Sequence, residues 1–372
     1  VEAWAEGEPG ARFREEDVPP YTLPPVLTRG TPWEERREEL LSLFRDHVYG
    51  RPPPDPERLR FEVTSDTVPG GAAVHRRVDV VSEHGPERHR FRLDLLLPAG
   101  AAGPVPVFLL LNHRAPRFAD PARPAASPFW PARALLERGY GAAVVQTAAL
   151  APDDPARYRS GALRLAEGPP SPAAPGALAA WAWGAHRALD YLVTDPAVDP
   201  RRLALVGHSR GGKAALWAAA QDDRVALVVS NESGAGGAAL SRRAYGETVG
   251  RITRAFPHWF APAFAAYAGR ERDLPVDQHQ LLALVAPRAV YVASADEDLW
   301  ADPRGEFASL AAASAAFALY GDPALTPGDM PGVDVPVAWG RRGYHVRSGG
   351  HDLTRYDWDR FVDFADDVWD QP

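Results

Sequence analysis

The sequence contains no cysteine. That excludes a disulfide framework, a cysteine nucleophile and thiolate metal sites. It also lacks any apolar run near the ~18 residues of a membrane span, so no membrane partner is expected. Long basic clusters are missing too, and 41 basic against 49 acidic residues give a formal net charge of -8. Nucleic acid is therefore not an expected partner. No H-E-x-x-H pair, clustered His/Asp ligands or G-x-x-x-x-G-K-S/T loop occurs, so no metal, nucleotide or other cofactor is expected. Asparagine is confined to Asn112 and Asn231, and lysine to Lys213. Lysine and arginine differ in shape, hydration and donor geometry, so a single lysine in an otherwise arginine-only chain reads as the requirement of a site.

What is present suffices for a substantial core: 45% hydrophobic residues and 11 Trp in 372 positions. The chain starts at Val1 without a charged-then-apolar leader. A secreted or periplasmic protein with its signal peptide removed is expected, and a monomer. Residues 1–30, rich in Pro, Glu and Arg without periodicity, read as an extended arm with little chemistry of its own. Residues 31–372 read as one catalytic domain. It opens with an amphipathic helix that has Thr31 as N-cap and Pro32 in its first turn.

Residues 60–65, 74–82 and 89–97 alternate like strands and predict an antiparallel start to a sheet. Residues 106–111 and 141–146 are short continuous apolar runs, as in strands buried on both faces of a parallel sheet. A crossover helix over 130–138 lies between them. Strand and helix then alternate: a helix at 178–193, strands at 203–206, 226–230, 289–294 and 343–346, and a last helix at 356–368. This predicts a doubly wound, mostly parallel sheet with antiparallel N-terminal strands in a three-layer α/β/α sandwich, the α/β-hydrolase plan. Insertions near 151–176 and 234–280 interrupt the alternation and are expected to wall the rim where ligands bind.

The stretch Gly207-His208-Ser209-Arg210-Gly211 sits between an apolar strand and an Ala-rich helix. This is the strand-turn-helix context of a G-x-S-x-G nucleophile elbow, and it makes Ser209 the candidate nucleophile. A serine hydroxyl needs a base, and the base needs a carboxylate, which on this fold follow in the order acid, then histidine. His345 falls inside a strand, where a core role is expected. His351 falls in the loop after Ser348-Gly349-Gly350 and is the candidate base. Two acids compete to orient it: Asp298 past the strand 289–294, and Glu232 past the preceding strand, beside Asn231. The backbone N–H of Arg210 is the expected first oxyanion donor, and its guanidinium a second.

Together G-H-S-R-G-G-K, S-N-E-S-G-A-G-G, A-S-A-D-E-D-L-W-A-D-P and S-G-G-H-D-L-T resemble, in order, the glucuronoyl esterases of carbohydrate esterase family 15. The similarity runs from about Tyr21 to the C-terminal Y-D-W-D-R-F. The absence of cysteine aligns the chain with the bacterial branch. The resemblance implies Ser209 as nucleophile, His351 as base, Arg210 as the oxyanion-stabilising arginine, and Glu232 and Asp298 each as one version of the acid. It also assigns Lys213, Glu247 and Trp300 to a uronate pocket. Where the family has a glutamine upstream of Glu247, this chain offers Arg242 and Arg243. The implied reaction is hydrolysis of the ester between a (4-O-methyl-)glucuronoyl carboxyl and an alcohol, with glucuronoxylan or lignin-carbohydrate ester as substrate. The rival expectations are another carbohydrate esterase, such as an acetyl xylan esterase, and a non-catalytic glucuronoxylan-binding relative.

Overall fold

The computed structural model describes residues 10–68, 73–124, 127–166, 168 and 170–369. Its strands are β1 (Arg58–Thr67), β2 (Ala73–His84), β3 (Glu87–Pro98), β4 (Val105–Asn112), β5 (Gly141–Gln146), β6 (Val198–His208), β7 (Leu227–Asn231), β8 (Ala289–Ala295), β9 (Val337–Trp339) and β10 (Arg342–Arg347). They form one sheet in the order β1-β2-β3-β5-β4-β6-β7-β8-β10-β9. Strands β1 to β3 pair antiparallel and β3 joins β5 antiparallel. From β5 through β10 the neighbours are parallel, with β9 added antiparallel at the edge. The expected α/β-hydrolase arrangement is present.

The apolar runs of the central strands are continuous because both faces of the sheet are covered. Along β4, Val107, Leu109 and Leu111 point into one core with Trp181 and Trp217, while Phe108 and Leu110 point into another with Trp130, Trp358 and Phe361. Helices α1 (Trp33–Phe44), α3 (Ala177–Leu192) and α4 (Arg210–Gln221) line the first face; α2 (Ala132–Glu137) and α8 (Arg355–Trp369) line the second. Between them in sequence come α5 (Val249–Ala255), α6 (Gln278–Ala283) and α7 (Pro303–Ala312). Alanine on α3 and α4 lets these two helices pack closely over the central strands. His345 of β10 is a core residue as expected, fully buried and bonded to Asp357 at 2.9 Å and Tyr291 at 3.0 Å.

The first helix departs from expectation at its start. Pro32, with φ -58 and ψ 150, takes the cap position, and no side chain caps the helix. The Thr31 N–H turns back to the Thr28 carbonyl at 3.1 Å. Proline's fixed φ makes the entry without a hydroxyl. The part of the arm within the described residues is stitched to the core: carbonyls of Pro24 and Pro25 accept from His279 and Gln280 of α6, and Arg36 of α1 reaches Pro25 and Val26.

Candidate active site

Strand β6 ends at His208, and α4 begins two residues later. Ser209, between them, is held at φ 54 and ψ -127, a conformation costly for any residue but glycine. Crowding explains the glycines around it: a Cβ on Gly207 would meet the Gly211 carbonyl oxygen at 2.0 Å. The Ser209 N–H donates to the Asn231 carbonyl at 2.8 Å, and its side chain caps nothing in α4. The hydroxyl is thus left for the cavity that Ser209 lines, about 360 Å³ in volume.

His351 lines the same cavity. Its Nδ1 lies 2.7 Å from Asp298 Oδ2 and 3.2 Å from Glu232 Oε2, so both competing acids reach one ring nitrogen. Those contacts assign the Nδ1 hydrogen to the carboxylates and put the proton-accepting lone pair on Nε2. Burial alone would lower the imidazole pKa, but the bonds and charges of Asp298 and Glu232 hold it up at about 10. Glu232 is itself fully buried, which pushes its carboxyl up to about 7 against the pull of His351 and Arg347. Arg347 donates to Glu232 Oε1 at 2.7 Å, and the Asp352 N–H donates to Oε2 at 2.8 Å. Beneath, Glu306 accepts from the Ser233 and Gly234 N–H groups at 2.9 Å each and from the Ser294 hydroxyl at 2.6 Å. It thereby ties the loop after β7 to the end of β8, and burial pushes its carboxyl up to about 8.

Arg210 starts α4 with its guanidinium 4.6 Å from the Trp259 ring and 5.2 Å from that of Phe256, two rings stacked 3.7 Å apart. Nη1 pairs with Asp153, while Nε is buried with no hydrogen-bond partner among the described residues. Asp153 also accepts from His258 at 2.8 Å and Trp259 at 2.6 Å. Burial opposes its charge, but His258, Arg210 and Trp259 hold its carboxyl well below the usual range.

Lys213, Glu247 and Trp300 line the cavity as well. Lys213 is buried, and its Nζ donates to the Ser233 and Ala235 carbonyls at 2.6 Å each and to Glu247 at 3.2 Å. Burial pushes its pKa down, and Glu247 offsets part of the shift. Its three hydrogens are all spent on the protein. Glu247 is therefore the group of the pair with oxygen lone pairs to offer a sugar, and Lys213 its charged support. The Glu247 N–H donates to the Trp300 carbonyl at 3.0 Å, which couples the two wall residues. Arg242 and Arg243 do not line this cavity: the first is bound to Asp277 and nearby carbonyls, the second to Asp302 and Glu15.

Sequence reasoning missed Asp153, Glu306 and Arg347, charged residues outside any local motif. Phe256 and Trp259, within the insertion expected to wall the rim, line the cavity. His208, Glu232 and His351 offer three ligand atoms within 4.8 Å of one another, the spacing a metal ion needs. Arg347 on Glu232 and Arg114, 3.3 Å from His208 Nε2, put two cations against that position and disfavour a third.

Comparison with known proteins places the chain among esterases. The family profile described as glucuronyl esterase, fungi, matches residues 170–321. A carbohydrate esterase, MZ0003, from an unknown prokaryotic organism is 37% identical over 96% of this chain and 92% of its own length. A 4-O-methyl-glucuronoyl methylesterase of Schizophyllum commune is 28% identical over 80% of this chain and 71% of its own. The solved structure of a glucuronoyl esterase from Solibacter usitatus superposes with a TM-score of 0.88 at 40% identity, covering 96% of this chain and 100% of that one.

Proposed function

The chain belongs to the glucuronoyl esterases of carbohydrate esterase family 15, and on that premise we propose which residues perform the hydrolysis and on what substrate. It is a carboxylic ester hydrolase acting on glucuronoyl esters. Ser209 Oγ attacks the uronoyl carbonyl as His351 Nε2 takes its proton. The oxyanion is met by the Arg210 N–H and by the buried Nε–H of the same residue. His351 then gives the proton to the departing alcohol, and a water activated by the same ring releases glucuronate from Ser209. Asp298 and Glu232 together hold the imidazole and stabilise its charged form. Glu247, held by Lys213, accepts from vicinal sugar hydroxyls, and Trp300 gives the ring an apolar face and an indole N–H.

The natural substrate in this reading is glucuronoxylan esterified to lignin alcohols. A polymer of that kind crosses no membrane, which argues for an enzyme working outside the cytoplasm. No helix among the described residues is long and apolar enough to span a bilayer. One observation carries the assignment: Ser209, Arg210, Glu232 and His351 share one cavity with Lys213, Glu247 and Trp300. The test is release of benzyl alcohol from benzyl glucuronate, run beside acetylated xylan and an aryl acetate. Cleavage of the glucuronate ester, lost in Ser209→Ala with the thermal midpoint kept, is expected. Turnover surviving in Ser209→Ala overturns the scheme, and preference for the acetates overturns the pocket.

A further inference from the structure

Four contacts bind the N-terminal arm to the segment that carries Glu247. The Gly246 N–H donates to the Arg12 carbonyl at 2.9 Å, and the Tyr245 hydroxyl to the Phe13 carbonyl at 2.8 Å. Arg12 Nη1 reaches the Ala244 carbonyl at 3.3 Å, and Glu15 pairs with Arg243 at 2.7 Å. Arg243 also grips Asp302, 2.8 Å away, which closes the turn holding Trp300. The arm, the segment before Glu247 and the turn around Trp300 are thus joined in one assembly.

Phe13 is its centre. Its ring lies 6.3 Å from that of Trp300, tilted by 39°, and 6.2 Å edge-on from that of Tyr245. Trp300 and Ala301 face the catalytic cavity, whereas Phe13, Leu299 and Asp302 line a second cavity of about 590 Å³. The indole therefore sits between the bound sugar's expected place and Phe13, with its backbone carbonyl fixed by Glu247. An aromatic side chain fixed in one orientation binds more tightly than one that must be ordered on binding.

We propose that Phe13 is a positioning residue for the uronate pocket, setting affinity for the sugar through Trp300 and Glu247; the inference rests on the pocket assignment above. The arm, for which the sequence suggested little chemistry, then contributes to specificity without touching substrate or the reacting atoms.

The test uses full-chain variants with benzyl glucuronate as substrate and a small phosphonofluoridate as a probe of Ser209. Phe13→Ala should raise KM about tenfold with kcat little changed, since an aromatic pair carries energy of that order beyond its buried area. The rate of Ser209 labelling should stay at the parent value, and Phe13→Tyr should restore KM. The double variant Phe13→Ala/Trp300→Ala should bind substrate no worse than Trp300→Ala alone, the mark of one residue acting through another. Unchanged KM in Phe13→Ala overturns the inference, as does a joint fall of kcat, labelling rate and thermal midpoint. If Trp300→Ala itself leaves KM unchanged, the pocket assignment has failed and the inference falls with it. A raised KM in Trp300→Ala beside a normal one in Phe13→Ala sinks the inference alone.

Discussion

A single hydrogen on His351 Nδ1 faces two carboxylates, and the distances, 2.7 Å to Asp298 and 3.2 Å to Glu232, give both a share of it. Two negative neighbours favour the imidazolium, whereas the attack step needs the neutral ring. With the folded pKa held at about 10, kcat/KM should climb with pH through the neutral range, because each step upward frees more neutral base. Removing one negative charge lowers that pKa, so Asp298→Asn should move the acid limb of kcat/KM to lower pH. Its plateau should fall by about tenfold to a hundredfold, short of the ~10⁴ lost when a sole orienting acid is neutralised, because Glu232 remains in reach. A limb that does not move means Asp298 carries no charge against the ring. Asp153 acts one contact further out, holding the Arg210 guanidinium through an ion pair. Asp153→Asn should lower kcat about tenfold with KM near the parent value, through a misaimed oxyanion donor. A pure KM effect would place Asp153 in substrate binding instead.

The elbow shows how an element stores strain where chemistry needs it. Ser209 sits at φ 54 because the chain must turn from β6 into α4 within one residue. Glycine accepts that conformation and alanine does not. Of two inactive variants, Ser209→Gly should therefore be more stable than Ser209→Ala by about 1 kcal/mol in denaturant unfolding; equal stabilities would show that the strain is absent. Elements of this kind were legible from local pattern. The run 141–146 is a strand over the same residues, and the elbow was read from its glycines and its flanking strand and helix. The helix begins at Arg210, one residue past the serine, because that single strained residue completes the turn. The start of β6 at Val198 was hidden by the polar Asp199-Pro200-Arg201-Arg202, although Val198 pairs with Val105. Ser209, His351, Glu232 and Asp298 were nominated because each follows a strand end on the rim. Asp153, Glu306 and Arg347 were not, since each acquires its role from partners about 50 to 115 residues away.

At the scale of the whole molecule, the site is wired to the last helix by a buried line of charge. Arg347 Nη2 pairs with Glu232 at 2.7 Å and its Nε with Asp357 of α8 at 3.1 Å, while Asp357 also bonds His345 at 2.9 Å. The same guanidinium donates to the Gly350 and Asp352 carbonyls at 2.8 and 2.9 Å, so it shapes the loop that presents His351. Burial opposes the Asp357 charge, but His345 and Arg347 bring its pKa below the ordinary value. A carboxylate depressed on folding stabilises above its unfolded pKa, near ~3.9, and that stability is lost as pH falls through the folded value. Arg347→Met removes the partner of two buried carboxylates and should cost about 3–5 kcal/mol at neutral pH, with activity lost as the His351 loop relaxes. Without the arginine, Asp357 shifts upward from its depressed value and takes up its proton on the way down toward pH 5, whereas Glu232, already at about 7 in the parent, changes its uptake only above neutrality. The gap in thermal midpoint between variant and parent should therefore be widest near neutrality and narrow steadily toward pH 5. A gap that stays constant across that range would mean that Arg347 acts through packing of its side chain, and that the charge line joining Glu232 to α8 contributes nothing to stability.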